Sequence, residues 1–310
     1  MNLARKHYQQ HQAKSAAESA AEFGTMQNTN AYEQQLMQLN SDKNRLKNIQ
    51  SKQHKVELKR QLLPNYKPYI QGILEVKPGV QDAVVTEILV WAIDIGDYDF
   101  ALDLAEYVLE HGLKLPDRFE RSEACFITEE IADEFLKVLK TDVPIDITVL
   151  ERLESLITDE SLEKSKRDMP DEVKAKLYLA LGKAEMRLIT GETHDDLWHT
   201  VCAKGYLEAA CKFDDKCGGR TDLNKMIKLN GRLEKIHADD IWTPQKILNE
   251  APNNDKSNAA LQDDQSSKND PIEISNLEGT TEQPETTNIL LNQNGSPVID
   301  DHANMVPVSE

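Results

Sequence analysis

Residues 170–174, Pro-Asp-Glu-Val-Lys, hold the side chains that a metal-dependent nuclease uses: carboxylates for a divalent ion and a lysine beside the attacked phosphate. Their spacing does not fit that chemistry, because the two halves of such a signature normally sit on separate strands, and here they are contiguous. Proline at the first helical position followed by acids is also how a helix opens, since proline lacks the N–H that would go unpaired and the helix dipole favours negative charge there. Asp171, Glu172 and Lys174 are therefore read first as a helix start, and they remain the only, weak, catalytic candidates.

The other reactive groups give no stronger pattern. Cys211 and Cys217, with Cys202, His194 and His199 upstream, lack the short C-x2-C spacing of a zinc site, and Cys202 and Cys211 suit a buried helix face. Asp94, Asp97, Asp99 and Asp103 lack the alternating ligands and closing glutamate of a calcium loop. No GxxxxGK[ST] phosphate loop and no G-x-S-x-G nucleophile turn is present, so no ATP-hydrolysing or acyl-transfer chemistry is expected. The expectation is a chain with no metal site and no cofactor of its own. Four cysteines are too few for a disulfide scaffold and are expected as reduced thiols.

Charge is more informative. The net charge of -18 is unevenly spread: residues 1–70 carry 11 Lys+Arg against 5 Asp+Glu, residues 71–170 carry 10 against 24, and residues 251–310 carry 2 against 11. Attraction to polyphosphate depends on the local patch and not on the sum, so the basic N-terminal fifth is the candidate nucleic-acid surface. Lys43, Arg45, Lys47, Lys52, Lys55, Lys59 and Arg60 are its cations. Lysine contacts of this kind orient a protein on a duplex without reading bases.

The elements that would position these groups are helical. Residues 1–30, rich in Gln, Ala and Ser, suit a flexible arm or a frayed helix. Residues 31–63 hold no Gly or Pro and predict one long basic amphipathic helix ending at Pro64. On it, Leu39, Leu46, Ile49, Val56 and Leu63 approximate a seven-residue seam, interrupted by Asp42, Gln53 and Arg60, that could pair with another helix or subunit. Lys52, Lys55 and Lys59 lie within about 60° of one another, roughly opposite Leu39 and Leu46, at about 100° per residue.

Residues 64–158 read as a helical domain with pieces at 70–76, 80–95, 98–111, 128–139 (capped by Thr128) and 146–157. Gly96-Asp97-Tyr98 followed by Ala101, Ala105 and Pro116 resembles the second half of a tetratricopeptide hairpin, though the first half of that consensus is missing. Residues 159–170, charged and without apolar period, predict a linker. Residues 171–240 predict a helical-hairpin domain with helices at 171–189, 195–213 and 221–237. Residues 251–310 are polar and acidic with isolated aliphatics, and predict a disordered tail. The fold class expected is all-α. No apolar run approaches the ~18 residues of a membrane span, and nothing at the start looks like a secretory leader, so a cytoplasmic protein is expected.

Several strings carry a family resemblance. Tyr32-Glu33 with Leu36 and Leu39, then RLKNIQSKQHKVELKRQLLPNYKPYIQGILE, GVQDAVVTEILVWAIDIGDYDFALDLAEYVLEHGLKLP, CFITEEIADE and DMPDEVKAKLYLALG, occur in order over residues 30–235. Together they resemble the terminase small subunit, also termed the terminase endonuclease subunit, of temperate contractile-tailed phages, the GpM type. The resemblance implies a protein that binds the packaging site on concatemeric double-stranded phage DNA and acts with the large ATPase subunit to cleave that DNA and package it into proheads. It also implies the host bacterial cytoplasm as the location, a homo-oligomer, a possible prohead or portal contact, and any Mg2+ used in cleavage belonging to the complex. A helical-hairpin adaptor that binds only protein, and a nuclease acting through Asp171, Glu172 and Lys174, are the competing readings.

Overall fold

Capping side chains and left-handed glycines set where the helices begin and end, and one unusually apolar helix sets what they pack around. The structure, a computed structural model, describes residues 3–27 and 29–238. Among these residues there are eleven α-helices and no strand: α1 Leu3–Phe23, α2 Asn30–Lys47, α3 Lys52–Leu62, α4 Lys67–Val76, α5 Ala83–Ile95, α6 Tyr98–His111, α7 Glu123–Val138, α8 Thr148–Thr158, α9 Asp171–Leu188, α10 His194–Phe213 and α11 Arg220–Ile236. The acidic tail expected over 251–310 lies outside the described residues.

Helix α5 is the centre. Every residue from Val84 to Ile93 is buried, so this helix has neighbours on all sides and not along a single stripe. Asp82 caps it, accepting from the Val84 and Val85 N–H groups at 2.7 and 3.1 Å, and the Tyr69 hydroxyl donates to the same carboxylate at 2.5 Å. Gly96, at φ 76°, ends α5 in the left-handed conformation that a side chain resists, and α6 folds back as the second arm of the tetratricopeptide-like hairpin with Ala101 and Ala105 fully buried.

Four expectations are corrected. Of the two forms expected for the N-terminal residues, a flexible arm or a frayed helix, the structure has a packed helix: residues 3–23 form α1, with Ala13, Ala16, Ala17 and Ala20 buried at helical spacing. Alanines alone bury little apolar surface, but they allow close approach: a Cβ on Gly72 of α4 would stand 2.5 Å from the Gln10 carbonyl oxygen and 2.7 Å from the Ala13 Cβ. Second, residues 31–63 are two helices. The chain breaks at 48–51, and Ser51 restarts it by accepting from the His54 N–H at 3.4 Å. Leu39, Leu46 and Leu63 of the seam are buried within the chain's own core, and the interrupting Asp42 is buried with them, accepting from the Tyr66 hydroxyl at 2.8 Å.

Third, α7 begins at Glu123 and not at Thr128. Ser122 is its cap, accepting from the Cys125 N–H at 3.3 Å, and Thr128 is buried in mid-helix. Fourth, residues 159–170 do not divide two cores. Met169 is buried, Arg167 donates to the Thr158 and Leu162 carbonyls at 3.2 Å each, and one apolar cluster continues from Ile157 through Met169 to Leu181. A small second cluster joins Leu179 of α9 to Ala203, Leu207 and Ala210 of α10 and Met226 of α11. Helices α9 and α10 close tightly at Gly182, where a Cβ would meet the Leu207 side chain at 2.7 Å.

Candidate nucleic-acid interface

The seven candidate cations fall on α2 and α3, but the fold treats them differently. Lys43 sits 3.3 Å from the buried Glu87 carboxylate of α5. Lys59 pairs with Asp94, lies over the Trp91 ring, and is only 16% exposed. Arg60 bonds Glu57 at 3.3 Å and the Ile95 carbonyl at 3.1 Å. Arg45 pairs with Asp42 at 2.8 Å while keeping a 55% exposed side chain. Lys47, Lys52 and Lys55 have no ion-pair or hydrogen-bond partner for their ammonium groups among the described residues.

These three free lysines flank one break. Lys47 is the last residue of α2, Lys52 the first of α3, and Lys55 lies one turn further on. The elbow between the helices therefore gathers three cations that the rest of the fold leaves free, with the exposed His54 beside them. The continuous cationic edge expected on a single helix does not exist as such. Lys59 and Arg60 anchor α3 to the end of α5, and Lys43 anchors α2 to its middle.

Those anchors were hidden in the sequence because their partners are remote. Glu87 stands 44 residues from Lys43, and Asp94 stands 35 from Lys59. Glu87 collects the most contacts: Arg118 is bidentate at 2.6 and 2.7 Å, and the Trp91 indole N–H donates at 2.9 Å. Burial pushes its carboxyl up, but Arg118, Lys43 and Trp91 outweigh burial and hold it below the ordinary range. The aspartates considered for calcium are likewise engaged by cations or, for Asp99, through backbone: Asp97 by Lys67 at 2.7 Å, Asp103 by Arg152 at 2.6 Å, and the Asp99 carbonyl by Arg152 at 3.3 Å.

The remaining candidates do not converge. Asp171, 65% exposed, pairs with Lys174 at 3.2 Å on the first turn of α9, and Glu172 beside them is exposed. His199 bonds Glu185 at 2.7 Å, whereas Cys211 and Cys217 approach each other at 3.8 Å, and His194 packs on the His237 ring. Among the described residues no group of three or more His, Cys, Asp or Glu side chains is placed to hold a metal ion. No helix among them is long and apolar enough to cross a membrane.

Among the described residues the chain is all-helical, brings three partner-free lysines together at one elbow, and holds no metal-binding cluster. The model of the phage small terminase subunit family matches residues 36–172, a span that includes the elbow and the α5–α6 hairpin. Over 206 residues the chain is 32% identical to the "Terminase, endonuclease subunit" of Escherichia phage P2, which covers 66% of this chain and 76% of that protein. No solved structure matches. The chain belongs to the phage small terminase subunit family and has a role in phage DNA packaging.

Proposed function

We propose that the α2–α3 elbow is where this terminase subunit holds double-stranded phage DNA, binding it at the packaging site of the concatemer. The observation that carries the reading is the set of partner-free lysines, Lys47, Lys52 and Lys55, gathered at one break in a chain of net charge -18. Arg45, exposed beside them, adds a guanidinium edge that Asp42 does not occupy. Lys43, Lys59 and Arg60 act one step removed, by fixing the two helices on α5.

Such a surface meets phosphates, and sequence choice then comes from elsewhere in the complex or from DNA shape. Family membership supports the rest of the reading: the subunit works in the host cytoplasm with the large ATPase subunit at the prohead and its portal, and as a homo-oligomer. Cleavage, with any Mg2+ it needs, belongs to that complex. Leu39, Leu46 and Leu63 of the seam are taken up by the chain's own core and are not free for a contact between copies.

The test is fluorescence anisotropy on duplex DNA at low salt with the full chain. Replacing Lys47, Lys52 and Lys55 together by Glu is expected to weaken binding roughly tenfold or more. Lys43→Ala with Lys59→Ala is expected to lower the melting temperature first. Unchanged affinity in the triple variant removes the elbow as the DNA site and favours a protein-only adaptor.

A further inference from the structure

Away from the elbow, a groove of about 320 Å³ opens between the segment before α9 and the end of α10. Lys164, Arg167, Lys174, Tyr178 and Phe213 line it, with Asp168 as the acid in its wall. Its aromatic side is a column. Tyr206 and Phe213 are seven residues apart on α10, two turns or about 10.5 Å along the axis. Tyr178 of α9 stacks on both, with ring centroids 6.2 and 5.6 Å away and planes inclined by 29° and 12°. A ring that meets both at those distances lies between them, so the column runs along α10 and ends at Phe213, where the helix itself stops.

The cationic side surrounds that end. The Lys174 ammonium lies over the Phe213 ring, 5.5 Å from its centroid, and 3.2 Å from Asp171, so a ligand's ring reaches that face when this flexible side chain swings aside. Lys164 is exposed, and its ammonium has no partner among the described residues. Arg167 uses Nε and Nη1 on backbone carbonyls and keeps its remaining N–H edge. Three cations against one lining acid, at the end of an aromatic stack, fit a ligand with a flat π-system and a phosphate. A volume of about 320 Å³ is at the small end of ligand sites, the size range of a single nucleotide and not of a duplex.

We propose that this groove binds one nucleotide unit, its base stacked on the Phe213 end of the column and its phosphate held by Lys164 and Lys174. A base paired within a duplex keeps its faces against its neighbours, so the ligand is an unpaired nucleotide, either at a single-stranded stretch of DNA or free in solution. The inference deepens the reading of this protein as a DNA-handling subunit, but it stands on residues separate from the elbow.

The experiment measures binding by the full chain of a fluorescein-labelled dT12 strand and of a 12-base-pair duplex, with thymidine 5′-monophosphate as competitor. Phe213→Leu is expected to weaken single-strand binding roughly fivefold or more, the scale of one lost base–aromatic stack. Lys164→Glu, an exposed change that leaves the fold alone, is expected to weaken it as well, with duplex affinity unchanged in both variants. Competition by millimolar monophosphate identifies the free nucleotide as the ligand; its failure to compete identifies the strand. Single-strand binding that is absent in the parent chain, or unaltered in both variants, overturns the proposal. The elbow triple variant separates the two sites: duplex affinity that survives it, together with single-strand affinity lost in Phe213→Leu, defeats the elbow and leaves the groove standing.

Discussion

At Glu87 three elements meet on one buried carboxylate, and the energetic consequence is specific. Truncation to Ala leaves the Trp91 indole N–H without its acceptor inside the core and frees Arg118 and Lys43 towards solvent. An unsatisfied buried donor together with a broken ion pair costs about 3 kcal/mol. Glu87→Ala is therefore expected to lower the melting temperature by roughly 6–12 °C for a chain with this much ordered structure, read by calorimetry or circular dichroism. The pH dependence has a definite sign. A carboxyl held below its ordinary value of 4.5 contributes stability above that pH and loses it as pH falls through the folded value. Asp196 has the same sign: the Thr193 hydroxyl and the backbone N–H groups of Thr193, Thr190 and Gly191 hold it low. Asp82 runs the other way, because burial raises it against its bonds from Tyr69 and the α5 amides. Denaturant midpoints are expected to decline below about pH 5, and more shallowly in Glu87→Gln than in the parent chain.

Among the helices, legibility in the sequence followed the residues that stop or start a chain. Gly96, Gly112 and the Gly218-Gly219 pair are visible in any reading, and α6, α9 and α10 fall within a residue or so of where their patterns place them. Ser51 and Ser122 were harder, since a serine is a cap only when the residues after it have something to pack against. No glycine or proline marks the break at 48–51, and a propensity argument carries a helix straight through it. Helix α1 was legible only as an arm or a frayed helix, for a different reason. Its buried stripe is made of alanines, which carry almost no hydrophobic contrast, and what holds it is the fit to Gly72. Gly72→Ala is thus expected to cost about 1–3 kcal/mol by pushing α1 off α4. Hydrogen exchange in Leu3–Phe23 is expected to rise in that variant while α9 and α10 stay protected; equal protection of α1 in both proteins refutes the close contact.

Over the chain as a whole, the separation of charge was readable and its meaning only partly so. The basic fifth is plain from counting, but which of its lysines face solvent depends on acids 35 and 44 residues away that no local period reveals. The acidic α5–α6 region serves in part to seat α2 and α3 through Glu87 and Asp94, and it leaves Lys47, Lys52 and Lys55 at the elbow unengaged. The groove at Phe213 illustrates the same limit: Tyr178, Tyr206 and Phe213 look like ordinary core aromatics until two helices bring them into one stack.

The most direct measurement is the salt dependence of duplex binding, because charge that meets phosphate releases counterions and charge that does not is silent. With each contact contributing a slope of about 0.9 in log K against log salt, removal of Lys47, Lys52 and Lys55 is expected to reduce the magnitude of the slope by roughly 2–3. A parent chain and triple Lys→Ala variant with the same slope would contradict the account, since DNA would then be held by some surface other than the elbow.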